Sequence, residues 1–492
     1  MISSQLAILQ VIIPLIAAPL CVLIRVDRYA WLFTVLVTWI IFGIVSYLLF
    51  AVLNNGPITY EIGGWLPPFG IEYRLDSLNT FLMLLISASA AIMLPFVGKS
   101  INQEIEKNRR HFFYAMFLLT YTGLMGIVST ADIFNVYVFL EISSLGSYVL
   151  IGLGRKRQSL KAAYRYLIQG TIGATFILIG IGFLYSVTGT LNMADLAVRL
   201  DPIIDSRPVV AGIAIITVGI LIKLALFPLH LWLPGAYTYA PSVVSAFLAM
   251  VSTKVAAYLL IRLNYSVFGI FTRLEDLHLS EALLSLSLVA ILVGSIGAIL
   301  QKDAKRLLAM SSIAQIGYIV VGISIPTVTA LSGGIIHIFN HGLIKGGMFL
   351  AIACIIYRVG GSELSKLKGL GSRMPFSSAA IVIGGLGLIG IPGTSGFISK
   401  WYLVNSTLET NLWPASVVIL LGSLIAIIYV GRLIEILYFA SPDNSESKIN
   451  EAPITLLIPV WIFLIASIYF GLHTDLTVGV AEKAAILLLG SL

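Results

Sequence analysis

Residues Gly219–Tyr237 read GILIKLALFPLHLWLPGAY. The first part is apolar apart from Lys223, and then comes Phe227-Pro228, which a helix cannot carry through undisturbed. Proline lacks the N–H that the ladder needs, and its ring clashes with the preceding turn. Taken over 208–234, the stretch is long enough to cross the roughly 30 Å of a bilayer's hydrocarbon. It therefore reads as a membrane span that contains both a charge and a break. Backbone groups left unpaired at that depth are tolerated only where protein or water satisfies them, so the break marks a place where something polar must gather.

Outward from this stretch the pattern recurs. Apolar runs of spanning length lie at about 5–24, 30–53, 78–97, 112–129, 131–153, 161–187, 242–263, 281–301, 306–325, 328–357, 376–410, 413–439 and 454–473. The fold class expected is an all-α polytopic membrane protein of about 14 transmembrane helices. Composition agrees: of 492 residues, 58% are hydrophobic and 11% charged, whereas a soluble chain carries roughly 25% charged residues. Collagen-like, disordered, disulfide-rich and nucleic-acid-binding classes drop out. The first run has its basic residues, Arg25 and Arg28, after it, so it reads as a span and not a cleaved leader. Cys21 and Cys354 both lie in apolar runs and read as small core residues.

The net charge of +7 is mostly topology. Basic residues in short loops collect on the cytoplasmic side, and here they alternate. Arg25, Arg28, Lys99, Arg110, Arg155, Lys156, Lys302, Lys305, Arg306, Arg358, Arg373, Arg432 and Lys448 fall after odd-numbered spans, whereas the opposite loops hold only Arg74, Arg199, Arg207, Arg262, Arg273 and Lys483. The bias implies an even number of spans with the N-terminus outside. Four lysines have no topological reason to exist: Lys223, Lys254, Lys345 and Lys400 fall inside apolar spans. A charge at mid-bilayer costs about 2.5–3.5 kcal/mol even on the lenient insertion scale, so each needs a partner, a wet cavity or a function.

The chain also resembles itself. YRYLIQGTIGATFILIG from Tyr164 lies over HIFNHGLIKGGMFLAIA from His337 at an offset of 173 residues, with Gly173 on Gly346 and Phe176 on Phe349. Two units of five spans are implied, 112–263 and 264–439, flanked by 1–111 and 440–492. An odd number of crossings makes consecutive copies an inverted pair, and the fourth span of each is interrupted: spans 7 and 12 are broken, at Phe227-Pro228 and at Gly390-Ile391-Pro392-Gly393. Paired broken helices at matching positions point to an ion path near the midplane; the plainer reading is a pair of kinks that help packing.

Glu141, in VYVFLEISSLGSYVL, is the one carboxylate that can be placed deep in a span. A carboxyl group buried in apolar surroundings is governed by whichever cation is near, and burial disfavours the charged form of an amine. The expectation is an ion pair of Glu141 with Lys223 and a proton relay through Lys223, Lys254 and Lys400. His337, His341 and Lys345 are spaced by four, so they share one helix face and can link the two units. Lys345 has a second reading, as an anchor whose amine reaches the basic surface, and the histidines as interhelical bonds. His230 has no ligand partners at metal spacing. There is no Walker loop, CxxC pair or HExxH, so neither cofactor nor metal is expected, and driving energy must come from an ion gradient or an attached complex.

With these residues in view, the chain resembles the antiporter-like subunits shared by respiratory complex I, membrane-bound hydrogenases and Mrp-type cation/proton antiporters. The strings that carry the likeness are FPLHLWLPGAYTYAPSVVSAFL from Phe227, DAKRLLAMSSIAQIGYI from Asp303 and HIFNHGLIKGGMF from His337, and it covers spans 3 to 14. Gly235-Ala236-Tyr237, Lys400 in span 12, and a chain end that leaves no room for a lateral helix are similar to Mrp D-type subunits. The resemblance implies a prokaryotic inner (plasma) membrane, other membrane subunits as partners, protons and monovalent cations as cargo, and a secondary role for His230. Three functions stay open: a subunit of a Na+ or K+/proton antiporter, the pump part of an NADH:quinone oxidoreductase or hydrogenase, and a structural subunit with an idle channel. Alkali cations want several oxygen ligands and are repelled by lysines, so this chain is expected to carry protons.

Overall fold

The computed structural model describes residues 2–269, 278–441 and 449–490; Arg273 and Lys448 lie outside the described residues. Helices α1 (Ile2–Leu23) and α2 (Asp27–Asn55) are followed by an antiparallel hairpin, β1 (Ile58–Glu61) with β2 (Glu72–Leu75). Then come α3 (Ser77–Met93), α4 (Gly98–Glu104), α5 (Arg110–Ser129), α6 (Ile133–Gly152), α7 (Arg157–Thr188), α8 (Met193–Leu200), α9 (Arg207–Leu224), α10 (Trp232–Tyr239) and α11 (Ser242–Ile261). The chain continues with α12 (Leu279–Ile299), α13 (Ala304–Ser324), α14 (Val328–Val359), α15 (Pro375–Ile389), α16 (Ser395–Glu409), α17 (Trp413–Ile434), α18 (Ile454–Leu472) and α19 (Asp475–Gly490). Side chains start several of these helices: Asp76, Asp132, Asn192, Asp303 and Thr327 each accept a hydrogen bond from a backbone N–H of the first turn.

Among the described residues, twelve helices are long and apolar enough to cross a membrane, or thirteen if the bent pair α3–α4 is one span. The run 376–410 is not a continuous helix but α15 and α16, fifteen residues each. The run 208–234 is α9 and α10 on either side of the proline break. The run 78–97 stops at Met93, ahead of Pro95, and the chain turns by 77° into α4. The hairpin, α8 and α19 have no counterpart among the expected runs, because none of them is an apolar stretch of spanning length.

The helices differ sharply in what surrounds them. In the most apolar stretches of α11 and α13, 94% of residues are buried, against 33% in that of α17. Lipid tails are as apolar as leucine, so lipid-facing positions need no polarity and close packing decides the interior. Helices α11, α13 and α14 therefore form a spine, and it carries Lys254, Gln315, His337, His341 and Lys345, all buried. Two charges assigned above to the surface are part of this interior. Lys305 is buried at the start of α13, and Arg262, at the end of α11, pairs with Asp76 at 2.7 Å and donates to the Tyr258 hydroxyl at 3.2 Å. Both follow an apolar run in sequence, and only the packing shows that the ends of these helices are covered.

Helix α9, which carries Lys223, is set by a close crossing with α7. A Cβ at Gly219 would lie 2.5 Å from the Gly173 carbonyl oxygen, and one at Gly173 3.1 Å from that of Gly219. The neighbour in each direction is backbone and cannot swing away. Gly219→Val is expected to force α9 off α7, destabilising the chain by about 1–3 kcal/mol; the thermal midpoint of the purified protein in detergent checks this, and an unchanged midpoint would contradict the crossing.

Candidate functional site

A helix interrupted inside a protein leaves carbonyls without partners at the end of its first half. At the first break α9 ends in Ala225, whose φ is 61°, and the indole Nε1 of Trp232, from the second half, donates to the Ile222 carbonyl at 2.8 Å. Trp232 is itself fixed by stacking on Tyr166, with ring centroids 3.9 Å apart. The same carbonyl accepts from the Ala225 N–H at 3.2 Å, and Lys223 in the last turn points elsewhere. Its Nζ donates to Ser144 Oγ at 2.8 Å, beside a cavity of about 30 Å³ lined by Ser143, Ser144, Ser147, Tyr166 and Ser252. That is room for one or two waters.

The second break is served differently. Gly390 follows α15 at φ 88°, and Lys400 reaches back from α16 so that its Nζ donates to the carbonyls of Leu388 at 2.9 Å and Ile389 at 3.0 Å. It also donates to Ser423 Oγ at 2.9 Å and lies 4.6 Å from the centre of the Tyr318 ring. Here the lysine itself closes the break. A cation is well placed at a helix C-terminus, where the backbone dipoles present their negative end.

Between the breaks lies the spine. Lys254 and Lys345 are fully buried. Lys254 donates to the Ala249 carbonyl, and Lys345 to the Leu308 carbonyl at 2.8 Å and to Ser311. Lys345 thus ends inside the protein and does not reach the basic surface. The His337 ring is held at both nitrogens, Nδ1 by Ser399 Oγ at 2.8 Å and Nε2 by Gln315 Oε1 at 2.9 Å. His341, one turn on, has its ring centre 5.8 Å from that of His337, and neither of its buried nitrogens has a hydrogen-bond partner among the described residues.

Two expected groupings are looser. No ion pair within 4.0 Å joins Glu141 to Lys223 among the described residues, and the buried Oε1 of Glu141 has no hydrogen-bond partner. The ammonium instead meets Ser144, three residues further along α6. His230 lies in the turn between α9 and α10, stacked on Phe227 with ring centres 5.5 Å apart, and no hydrogen bond joins it to the lysines among the described residues. No three His, Cys, Asp or Glu side chains gather to hold a metal among the described residues. Sequence reasoning missed Gln315, Ser399 and Ser423, polar residues at helical spacing within apolar runs, which can be singled out only once their partners are known.

A membrane protein whose buried lysines and histidines run between two broken helices is the class that this geometry defines. The chain belongs to the family described as NADH:quinone oxidoreductase/Mrp antiporter, TM, which matches residues 130–426. It is 40% identical to NADH-quinone oxidoreductase subunit N of Desulforudis audaxviator over 435 residues, 86% of each chain. It is 32% identical to putative antiporter subunit mnhD2 of Staphylococcus aureus over 98% of this chain and 96% of the relative. Its fold is similar to a chain of the membrane-bound sulfane sulfur reductase, an archaeal respiratory membrane complex, with a TM-score of 0.90 at 29% identity over 99% of this chain and 98% of the other. It shares its fold also with a chain of the Mrp complex from Dietzia sp., with a TM-score of 0.91 at 22% identity and the same coverage.

Removing the Lys400 amine takes a donor from two carbonyls and a hydroxyl, whereas the His341 ring makes no hydrogen bond among the described residues. Lys400→Met is therefore expected to cost about 1–3 kcal/mol of stability, and His341→Phe distinctly less. Thermal unfolding of the two variants side by side gives the comparison; equal losses would contradict these contacts.

Proposed function

We propose that this chain is the proton-translocating subunit of a multisubunit Mrp-type Na+ or K+/proton antiporter, seated in the prokaryotic plasma membrane with its N-terminus outside. Protons pass along Lys223, Lys254 and Lys400, with Glu141 biasing the first lysine and His337, His341 and Lys345 linking the units 112–263 and 264–439. His230 lies beside the first break as a secondary member. The observation that carries this reading is the set of buried ammonium groups whose described contacts are hydroxyls and carbonyls, not carboxylates. An amine held only by neutral acceptors can give up its proton without leaving a bare counter-charge behind. The other subunits of the assembly supply any oxygen-lined path for the alkali cation, and the membrane voltage couples the two, at about 2.3 kcal/mol per charge per 100 mV.

The match to mnhD2 over nearly the whole of both chains supports the antiporter assignment. The 40% identity to subunit N favours a second reading, in which the same relay is driven by an oxidoreductase in neighbouring chains. Purifying the intact complex separates the two. Small antiporter subunits support the first, and iron–sulfur or quinone-reducing subunits the second.

Lys223→Ala is expected to abolish coupled proton movement in membrane vesicles, read with a pH-sensitive dye, while the complex still assembles. Transport retained at the wild-type rate would sink the relay.

A further inference from the structure

A second, larger cavity lies away from Lys223. A space of about 630 Å³ lies on the basic side, where α10 ends and α11 and α13 begin, and its lining includes Glu104, Lys156, Asp303, Lys305 and Glu363. Lys156, Lys302 and Arg306 at its edge are exposed, whereas Lys305 is buried, with 3% of its surface accessible. Its Nζ donates to the Ala240 carbonyl at 2.6 Å. The carboxylates around it are engaged elsewhere. Glu104 accepts from the Ser242 N–H and hydroxyl and from Ser100, Asp303 caps α13 and accepts from Ser362, and Glu363 pairs with Lys366. No carboxylate lies within 4.0 Å of the Lys305 ammonium among the described residues.

Two polar tracks lead inward from this amine. Along α11, Ser245 Oγ reaches the same Ala240 carbonyl at 3.4 Å, and the Ala249 carbonyl one turn deeper carries the Lys254 ammonium. One turn is about 5.4 Å. Along α13, the Leu308 carbonyl and Ser311 carry the Lys345 ammonium, and Leu308 lies three residues beyond Lys305, about 4.5 Å along the axis. Both central lysines thus lean toward the cavity, and Lys305 stands at its inner wall between them and the basic side.

We infer that Lys305 is a proton port: the amine takes a proton from water in the basic-side cavity and its ammonium hands one inward to Lys254 or Lys345, in the middle of the relay. Only a proton moves, and no bond between heavy atoms changes. This rests on the relay proposed above. The alternative is that Lys305 merely ties α13 to the end of α10. Arginine separates the two, because it keeps the charge and the donor but does not release its proton.

The test uses the assembled complex in vesicles. Lys305→Arg is expected to lower coupled transport at least tenfold, and transport within twofold of wild type would overturn the port. Lys305→Cys, which removes the ammonium, is expected to lose transport and to regain at least half of it when an aminoethyl thiosulfonate added on the basic side rebuilds an amine there. Inactivity that persists after complete modification overturns the port, as does a cysteine that the reagent does not reach from that side in the assembled complex. The native Cys21 and Cys354 are both buried, so the unsubstituted complex is the labelling control. If neither substituted chain assembles, Lys305 is structural and the port is overturned. The relay itself is judged separately, by Lys223→Ala.

Discussion

Everything in this protein turns on one requirement: a polar backbone group at membrane depth must find a partner inside the protein. The two interrupted helices create the vacancies, and each is filled by a different device. At the first, an aromatic N–H closes the end of α9 and leaves Lys223 turned to a serine. At the second, Lys400 is itself the closing group. The placing of the charged groups thus follows from backbone pairing before any question of transport arises. The spine of α11, α13 and α14 continues the same logic, since its lysines end on backbone carbonyls that their own or neighbouring helices leave accessible.

Much of this was legible in the sequence. Apolar runs located nearly every helix, because a bilayer demands a length and a composition that short motifs cannot imitate. Phe227-Pro228 and Gly390-Ile391-Pro392-Gly393 fall at the observed breaks, and the four lysines without a topological role are all buried. What escaped has a common cause. The hairpin, α8 and α19 are too short or too polar to register as spans. Lys305 and Arg262 looked like loop charges because each abuts the end of an apolar run, and linear order does not say that α4, α10 and the loop before α3 cover those ends.

The pairing of Glu141 with Lys223 shows a further limit. Mid-span positions in spans 5 and 7 put both groups at similar depth, but a contact also needs the right azimuth. Ser144, three residues along α6, meets the ammonium, and Glu141 sits on the partly open flank of that helix. His341 illustrates the reverse case. Its spacing on α14 was evident, but that it is the histidine with both nitrogens bare, while His337 is held at both, depends on Gln315 and Ser399 from other helices.

The unequal tethering of the two outer lysines has a mechanical consequence. Lys223 hangs on a single hydroxyl beside a small void, whereas Lys400 is moored by two carbonyls, a hydroxyl and an aromatic face. A side chain with one tether changes rotamer by breaking one contact, and one with four must break them together. The two lysines therefore differ in stiffness: Lys223 is held as a hinged arm and Lys400 as a fixed post, so the proposed relay would begin and end on unlike side chains.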